Sequence, residues 1–323
     1  MRRRDFILGF GGTAILARSA RAQTTEIIRR IAVLSPSATT IEEIRTVVFP
    51  ELAKMGFAEG RNLMVTTHVG TQSELSQLAR QALALMPDVI IASTNASVRA
   101  ILEHSTTVPI VMAFAGEDPV ATGLAKSLAR PGGSVTGLTN QAAEIAAKNV
   151  SLLHEAVPTA RRIGALVLPP PRHLDSIREM QRVAQRLGVT LEPFYAQGPS
   201  EHETAFAAMR AAGIEAMACA AAPEYIRDGA IIGRLALAAG LPTIGDATSM
   251  ARDGWLIGYG LDRVVFRRRA ADFVARILRG TPPGELPIEQ PTVYEMALNL
   301  ATARKLGLTL PQSIIARADE VLE

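Results

Sequence analysis

Residues 116–139 read GEDPVATGLAKSLARPGGSVTGLT, with five glycines, one lysine and several hydroxyls. Such residues cradle a phosphate when the glycines lie between a strand and a helix and a Gly-Lys-Ser/Thr closes the loop. The order here does not suit that chemistry. The apolar run 109–114 reads as a strand, and Asp118-Pro119 as a helix start with proline at the first helical position. Leu124, Ser127 and Leu128 continue that predicted helix, so Lys126 falls inside it. Pro131-Gly132 then suits a type II turn into a strand at 134–139. The stretch is a ligand-side loop, a helix and a turn.

No other set of residues carries catalysis. The five histidines, at 68, 104, 154, 173 and 202, show no metal-binding spacing such as His-Glu-x-x-His, and there is no Gly-x-Ser-x-Gly elbow. The acidic pair Glu117-Asp118 stands beside a proline cap and needs no catalytic account. The expectation is a protein that is not an enzyme and takes no metal or cofactor. Cys219 is the single cysteine and sits in the apolar run AMACAAA, as a buried small hydrophobe would.

What the sequence does place together is strand ends. In open parallel sheets, ligands sit beyond the carboxyl ends of the strands. Those ends supply the candidate ligand-binding residues Ser35, Thr94, Asn95, Ala96, Phe114, Asp118, Thr139, Asp246 and Tyr259. At 94–96 a predicted helix begins, and its free backbone N–H groups suit a carboxylate.

The elements that must position these residues alternate along the chain. Short apolar runs at 30–35, 62–68, 88–93 and 109–114 read as strands separated by helices, one of them opened by a Thr40–Glu43 capping box. The pattern restarts at 162–168, with further strands at 190–196, 215–221, 242–246 and 255–260. Its helices include one opened by a Ser200–Glu203 box and another over about 224–239. This order predicts an α/β protein of two Rossmann-like lobes with parallel sheets and a ligand crevice between them. Phe266, Ala270, Phe273, Val274 and Ile277 mark one helical face, expected to pack on the first lobe. Pro282, Pro283, Pro287 and Pro291 stiffen the segment after it, as an interlobe crossover would be stiffened, and the last residues are expected to return to the second lobe.

The N-terminus reads MRRRDFILGFGGTAILARSARAQ. A basic start, a short apolar run from Phe6 to Ala17, and Ala20-Arg21-Ala22 give the three-part layout of a secretory signal cleaved near Ala22. Arg3-Arg4 before Asp5-Phe6-Ile7 matches a twin-arginine signal. Five arginines against one aspartate in these 22 residues carry four positive charges; the whole chain is +3, so the rest is near −1. With aromatics at 4%, neither a basic field nor stacking platforms remain for nucleic acid. The expectation is a monomer in the periplasm.

Read as DPVATGLAKSLARPGGSVTGLT, residues 118–139 resemble a signature of the ABC transporter substrate-binding proteins of the tryptophan-binding-like type. So do ELAKMGFAEGRNL (51–63), PDVIIAST (87–94), KNVSLLHEAVPTARRIGALV (148–167), the run YGLDRVVFRRRAADFVARILRGTPPGELPIEQPT (259–292) and NLATARKLGLTLPQSIIARADEVLE (299–323). The resemblance spans nearly all of the chain after the signal. It implies the type I periplasmic binding protein architecture with three interlobe crossovers. On that basis the lobes are expected at 27–136 plus 261–286 and at 137–260 plus 287–323. It also implies capture of a small solute, an amino acid or related small carboxylate, and delivery to an ABC transporter membrane permease. The alternative is a periplasmic sensory or regulatory module of the same fold. An amino-acid ligand would place its carboxylate at Thr94, Asn95 and Ala96 and its ammonium on Asp118 or Asp246. The chain departs from the family pattern at Ser93-Thr94-Asn95, at Leu168-Pro169-Pro170-Pro171 and at the extra acid in Gly116-Glu117-Asp118-Pro119, all at predicted strand ends.

Overall fold

A computed structural model describes residues 27–170 and 173–323. The signal segment and Pro171 of the proline run lie outside the described residues. Five strands form the first sheet: β1 (Arg29–Ser35), β2 (Leu63–Val69), β3 (Val89–Ala92), β4 (Ile110–Ala115) and β5 (Val135–Thr139). All pairs are parallel, in the order β2-β1-β3-β4-β5. Helices α1 (Ala38–Lys54), α2 (Leu75–Ala84) and α3 (Asn95–Leu102) connect the first four. The central strands are continuous apolar runs because both faces are covered: every residue of β3 and β4 is buried.

The chain then enters a second layer through α4 (Ala142–Ala156). It continues as β6 (Arg162–Val167), α5 (Leu174–Leu187), β7 (Thr190–Tyr195), α6 (Pro199–Ala211), β8 (Ala216–Cys219), α7 (Pro223–Arg227) and α8 (Gly229–Ala238). Next come β9 (Thr243–Gly245), α9 (Thr248–Arg252) and β10 (Ile257–Gly260). The chain returns to the first sheet as α10 (Arg263–Leu278), where Ala270, Phe273 and Val274 join Ile44, Val48 and Leu52 of α1 in one buried cluster. Burying a side chain of that size is worth about 1.5–3 kcal/mol, so α10 belongs energetically to the first sheet, as its apolar face predicts. A third passage, 283–294, leads back to β11 (Glu295–Asn299), α11 (Leu300–Lys305), α12 (Gln312–Ile315) and β12 (Glu320–Leu322). The second sheet runs β12-β11-β10-β9-β8-β6-β7, with β11 antiparallel to β10 and the other pairs parallel. Two mostly parallel sheets joined by three crossings, at 140–141, 261–262 and 283–294, form the type I periplasmic binding protein architecture.

Several local readings differ. Residues 119–130 carry turns, not a helix. One turn forms, with the Leu124 and Ala125 N–H groups both donating to the Pro119 carbonyl. Gly123 at φ 73° then leaves the right-handed region, and the Lys126 N–H goes forward to Pro131. The cap of α1 is Ser37, whose side chain accepts from the Thr40 N–H; Thr40 lies inside the helix. The helix at 199 opens on Gly198 with Pro199 at its first position, and Glu201 reaches back to the Gln197 N–H, 2.7 Å away. The predicted helix at 224–239 is two helices parted at Asp228, whose buried carboxylate takes a two-point contact from Arg227 and a 3.0 Å contact from His202.

Candidate functional site

A narrow cleft, with a cavity volume of only ≈ 10 Å³, lies where the C-terminal ends of both sheets meet two of the crossings. The first sheet contributes Phe114 at the end of β4, beside a register shift between Met112 and Ala115 that re-aims the strand. The first crossing contributes Asn140 and the opening of α4, with Ala142 and Ile145. The second sheet contributes Ala221, after β8, and Asp246, after β9. The second crossing contributes Gly260, Leu261 and Arg263.

Asp246 is 6% exposed, and its Oδ2 accepts from an Arg263 guanidinium nitrogen at 3.2 Å. Its Oδ1 is buried, and no donor among the described residues reaches it. Burial pushes this carboxyl up to about 6, against the pull of Arg263 and of its own backbone amide. Arg263 also lies over the Phe114 ring, 4.6 Å from its centre. Arg267, one turn further along α10, lies 5.2 Å from the same ring and pairs with Glu43. Phe114 therefore has two guanidiniums over its ring, and Phe266 meets it edge-on at 6.1 Å. The Arg267 side chain is 3% exposed, and burial lowers its pKa, opposed by Glu43 and reinforced by Arg263.

Close packing of β10 fixes the position of Asp246. A methyl group at Gly260 would lie 1.9 Å from the Asp246 carbonyl oxygen, so no larger residue fits there without moving the loop. Across the cleft, His173 holds the Ala221 segment. Its Nδ1 accepts from the Leu168 N–H, so Nε2 carries the proton and donates to the Ala221 carbonyl at 3.1 Å.

Of the residues expected at the site, the fold brings Phe114 and Asp246 to this cleft. Thr94, Asn95 and Ala96 open α3: the Thr94 hydroxyl accepts from the Ser97 N–H, and Asn95 Oδ1 accepts from the Glu117 N–H at 3.2 Å. Asn95 Nδ2 is buried without a partner among the described residues. Thr139 is buried and donates to the Glu117 carbonyl. Ser35 Oγ is saturated by Ser93 and by both backbone groups of Ser37. Asp118 is exposed, and its carboxylate accepts from the Val120 N–H at 2.8 Å. Tyr259 leaves β10 on the face opposite Gly260 and stacks on Tyr294 at 5.9 Å. The sequence reading missed Arg263 and Asn140. The available signal was Asp262 as the cap of α10, which puts Arg263 in the first turn at a crossing.

A profile described as ABC transporter substrate binding protein matches residues 30–322. A tyrosine-binding protein of Clostridioides difficile is 23% identical over 79% of this chain and 71% of its own length. Among solved structures, a conserved domain protein of Vibrio cholerae superposes with a TM-score of 0.78 at 25% identity, covering 92% of this chain and 99% of that one. An ABC domain from Streptococcus pneumonia in complex with L-Trp superposes with a TM-score of 0.76 at 22% identity, covering 91% and 100%. The profile match takes in both sheets and every crossing that lines the cleft, and on it the chain belongs to the family of ABC transporter substrate-binding proteins.

Proposed function

We propose that the protein captures an amino acid in the cleft and delivers it to an ABC transporter membrane permease. The observation that carries this reading is Asp246: a buried carboxylate on the cleft wall with one oxygen that no described donor reaches. An α-ammonium would supply that donor. Asp118 is the weaker candidate, since its carboxylate faces solvent and closes its own turn. The ligand carboxylate goes to the N-terminus of α3, where the Asn95 and Ala96 amides lie at the positive end of the helix and Asn95 Nδ2 adds a donor. The ligand side chain lies against Phe114. The printed ligands of two relatives, tyrosine and L-Trp, are consistent with an aromatic amino acid. The two lobes divide near the expected boundaries, 27–136 plus 261–286 and 137–260 plus 287–323, except that residues 137–139 go to the first lobe because they complete β5 of the first sheet.

The test is a thermal-shift screen of residues 23–323 against the twenty amino acids, their decarboxylated amines and small aromatic acids, followed by calorimetric titration. A ligand at 100 times its dissociation constant stabilises by about 2.7 kcal/mol. If aromatic acids without an ammonium shift the protein and amino acids do not, the reading is wrong.

We further place the protein in the periplasm as a monomer without enzymatic activity, exported by the twin-arginine route. Changing Arg3 and Arg4 together to lysine should hold the precursor in the cytoplasm; normal export would assign it to the general secretory route. Light scattering on the purified protein reads the monomer.

A further inference from the structure

Arg263 stands in a place where little besides Asp246 and Phe114 favours a cation. It is in the first turn of α10, whose N-terminus repels positive charge. Arg267, a buried guanidinium one turn further along the helix, repels it. Among the described residues its one hydrogen bond to a carboxylate is the 3.2 Å contact with Asp246 Oδ2, and its guanidinium lies over Phe114.

The acceptors around it are not used up. Asp246 and Asn140 line the same cleft and are 6% and 7% exposed, and the buried Oδ1 of each meets no donor among the described residues. A planar guanidinium entering from α10 reaches one of these three oxygens. An ammonium has three N–H groups that diverge tetrahedrally, and it suits three acceptors and an aromatic face.

We propose that Asp246, Asn140 and Phe114 form a subsite for a ligand ammonium, and that Arg263 is an internal cation which the ligand displaces from it. This rests on the amino-acid reading of the cleft and deepens it. Asn140 becomes a binding residue, and Arg263 an internal competitor that sets the affinity threshold. A ligand without a cationic group leaves Arg263 in place and gains nothing from the three oxygens.

The experiment compares wild type with Arg263→Gln, Arg263→Ala, Asn140→Ala and the double variant Arg263→Ala/Asp246→Asn. Titrated with L-tryptophan, Arg263→Gln should bind about tenfold more tightly than wild type. That is the lower end of what a charge-assisted hydrogen bond is worth, because repulsion already weakens the displaced contact. Asn140→Ala should bind several-fold more weakly. A fall in affinity in Arg263→Gln would make Arg263 an anchor for the ligand carboxylate and overturn the proposal. A second arm uses no amino acid. Methylammonium should raise the melting temperature of Arg263→Ala and leave the double variant unmoved. If it stabilises neither, or both equally, the subsite is wrong. If methylammonium behaves as stated while no amino acid binds wild type or variants, the amino-acid reading fails and the cation subsite stands.

Discussion

Asp246 follows β9 with its carboxylate out of water, and the cost of that burial sets its chemistry. Its carboxyl is raised from 3.8 to about 6, burial outweighing Arg263. The nearby Cys219 thiol is neutral, since burial pushes it well above its ordinary value. Between about pH 4 and 6 the folded chain holds a proton that the unfolded chain has lost. The contribution of this group to stability is therefore full below about pH 4 and falls as pH rises through 6, by about 3 kcal/mol in total. Asp246→Asn should flatten that part of the stability–pH curve, read by urea unfolding at pH 4.5 and 7. Ligand binding should run the other way, because an ammonium needs the ionised carboxylate. Wild-type affinity for an amino acid should rise about tenfold from pH 5 to pH 7 as the ionised fraction grows. At pH 7, Asp246→Asn should cost about 10- to 150-fold. A pH-independent affinity would remove Asp246 from the site. Asp246 was legible because it ends an apolar strand. Arg263 was not, because only the fold shows that a helix start and a strand end 17 residues apart converge.

At the scale of elements, the strands declare themselves by apolar runs, and nearly every predicted strand is present. Helix ends were harder to read. Ser37, not Thr40, caps α1, since two hydroxyl residues three apart offer the same local signal. The antiparallel β11 and short β12 carry little pattern of their own and exist because β10 offers an edge to pair with. Gly260 shows how one element fixes the site. Its strand lies so close to residues 246–247 that a Cβ would overlap the Asp246 carbonyl. Gly260→Ala should destabilise the fold by about 1–3 kcal/mol through overpacking and should abolish ligand binding, because the strain falls on the loop that carries Asp246. The same change at Gly198, where an added Cβ meets nothing within 4 Å, should leave binding intact. Calorimetric titration and denaturant unfolding of both variants check this; equal effects would make the Gly260 contact unimportant.

At the scale of the molecule, three crossings join the two sheets, and the Asp246–Arg263 pair ties the second sheet to the helix packed on the first. That contact holds the two halves together across a cleft whose cavity volume is only ≈ 10 Å³. On the proposed reading, an aromatic amino acid would part the halves to enter and then draw them together, each half supplying some of its contacts. Val120, after β4, and Leu174, at the start of α5, are exposed residues beyond the carboxyl ends of the two sheets. Cys219 is the single cysteine and is buried, so it should stay unlabelled while new surface cysteines react. Spin labels on Val120→Cys/Leu174→Cys should report a broad distance distribution without ligand and a narrower, shorter one at saturation. Small-angle scattering should show a matching fall in radius of gyration. In the Arg263→Gln background the ligand-free distribution should shift towards longer distances, because the charged tie between the halves is gone. Binding with no change in either distribution would mean a rigid, preformed site, and the displacement of Arg263 would then have to occur within a closed cleft.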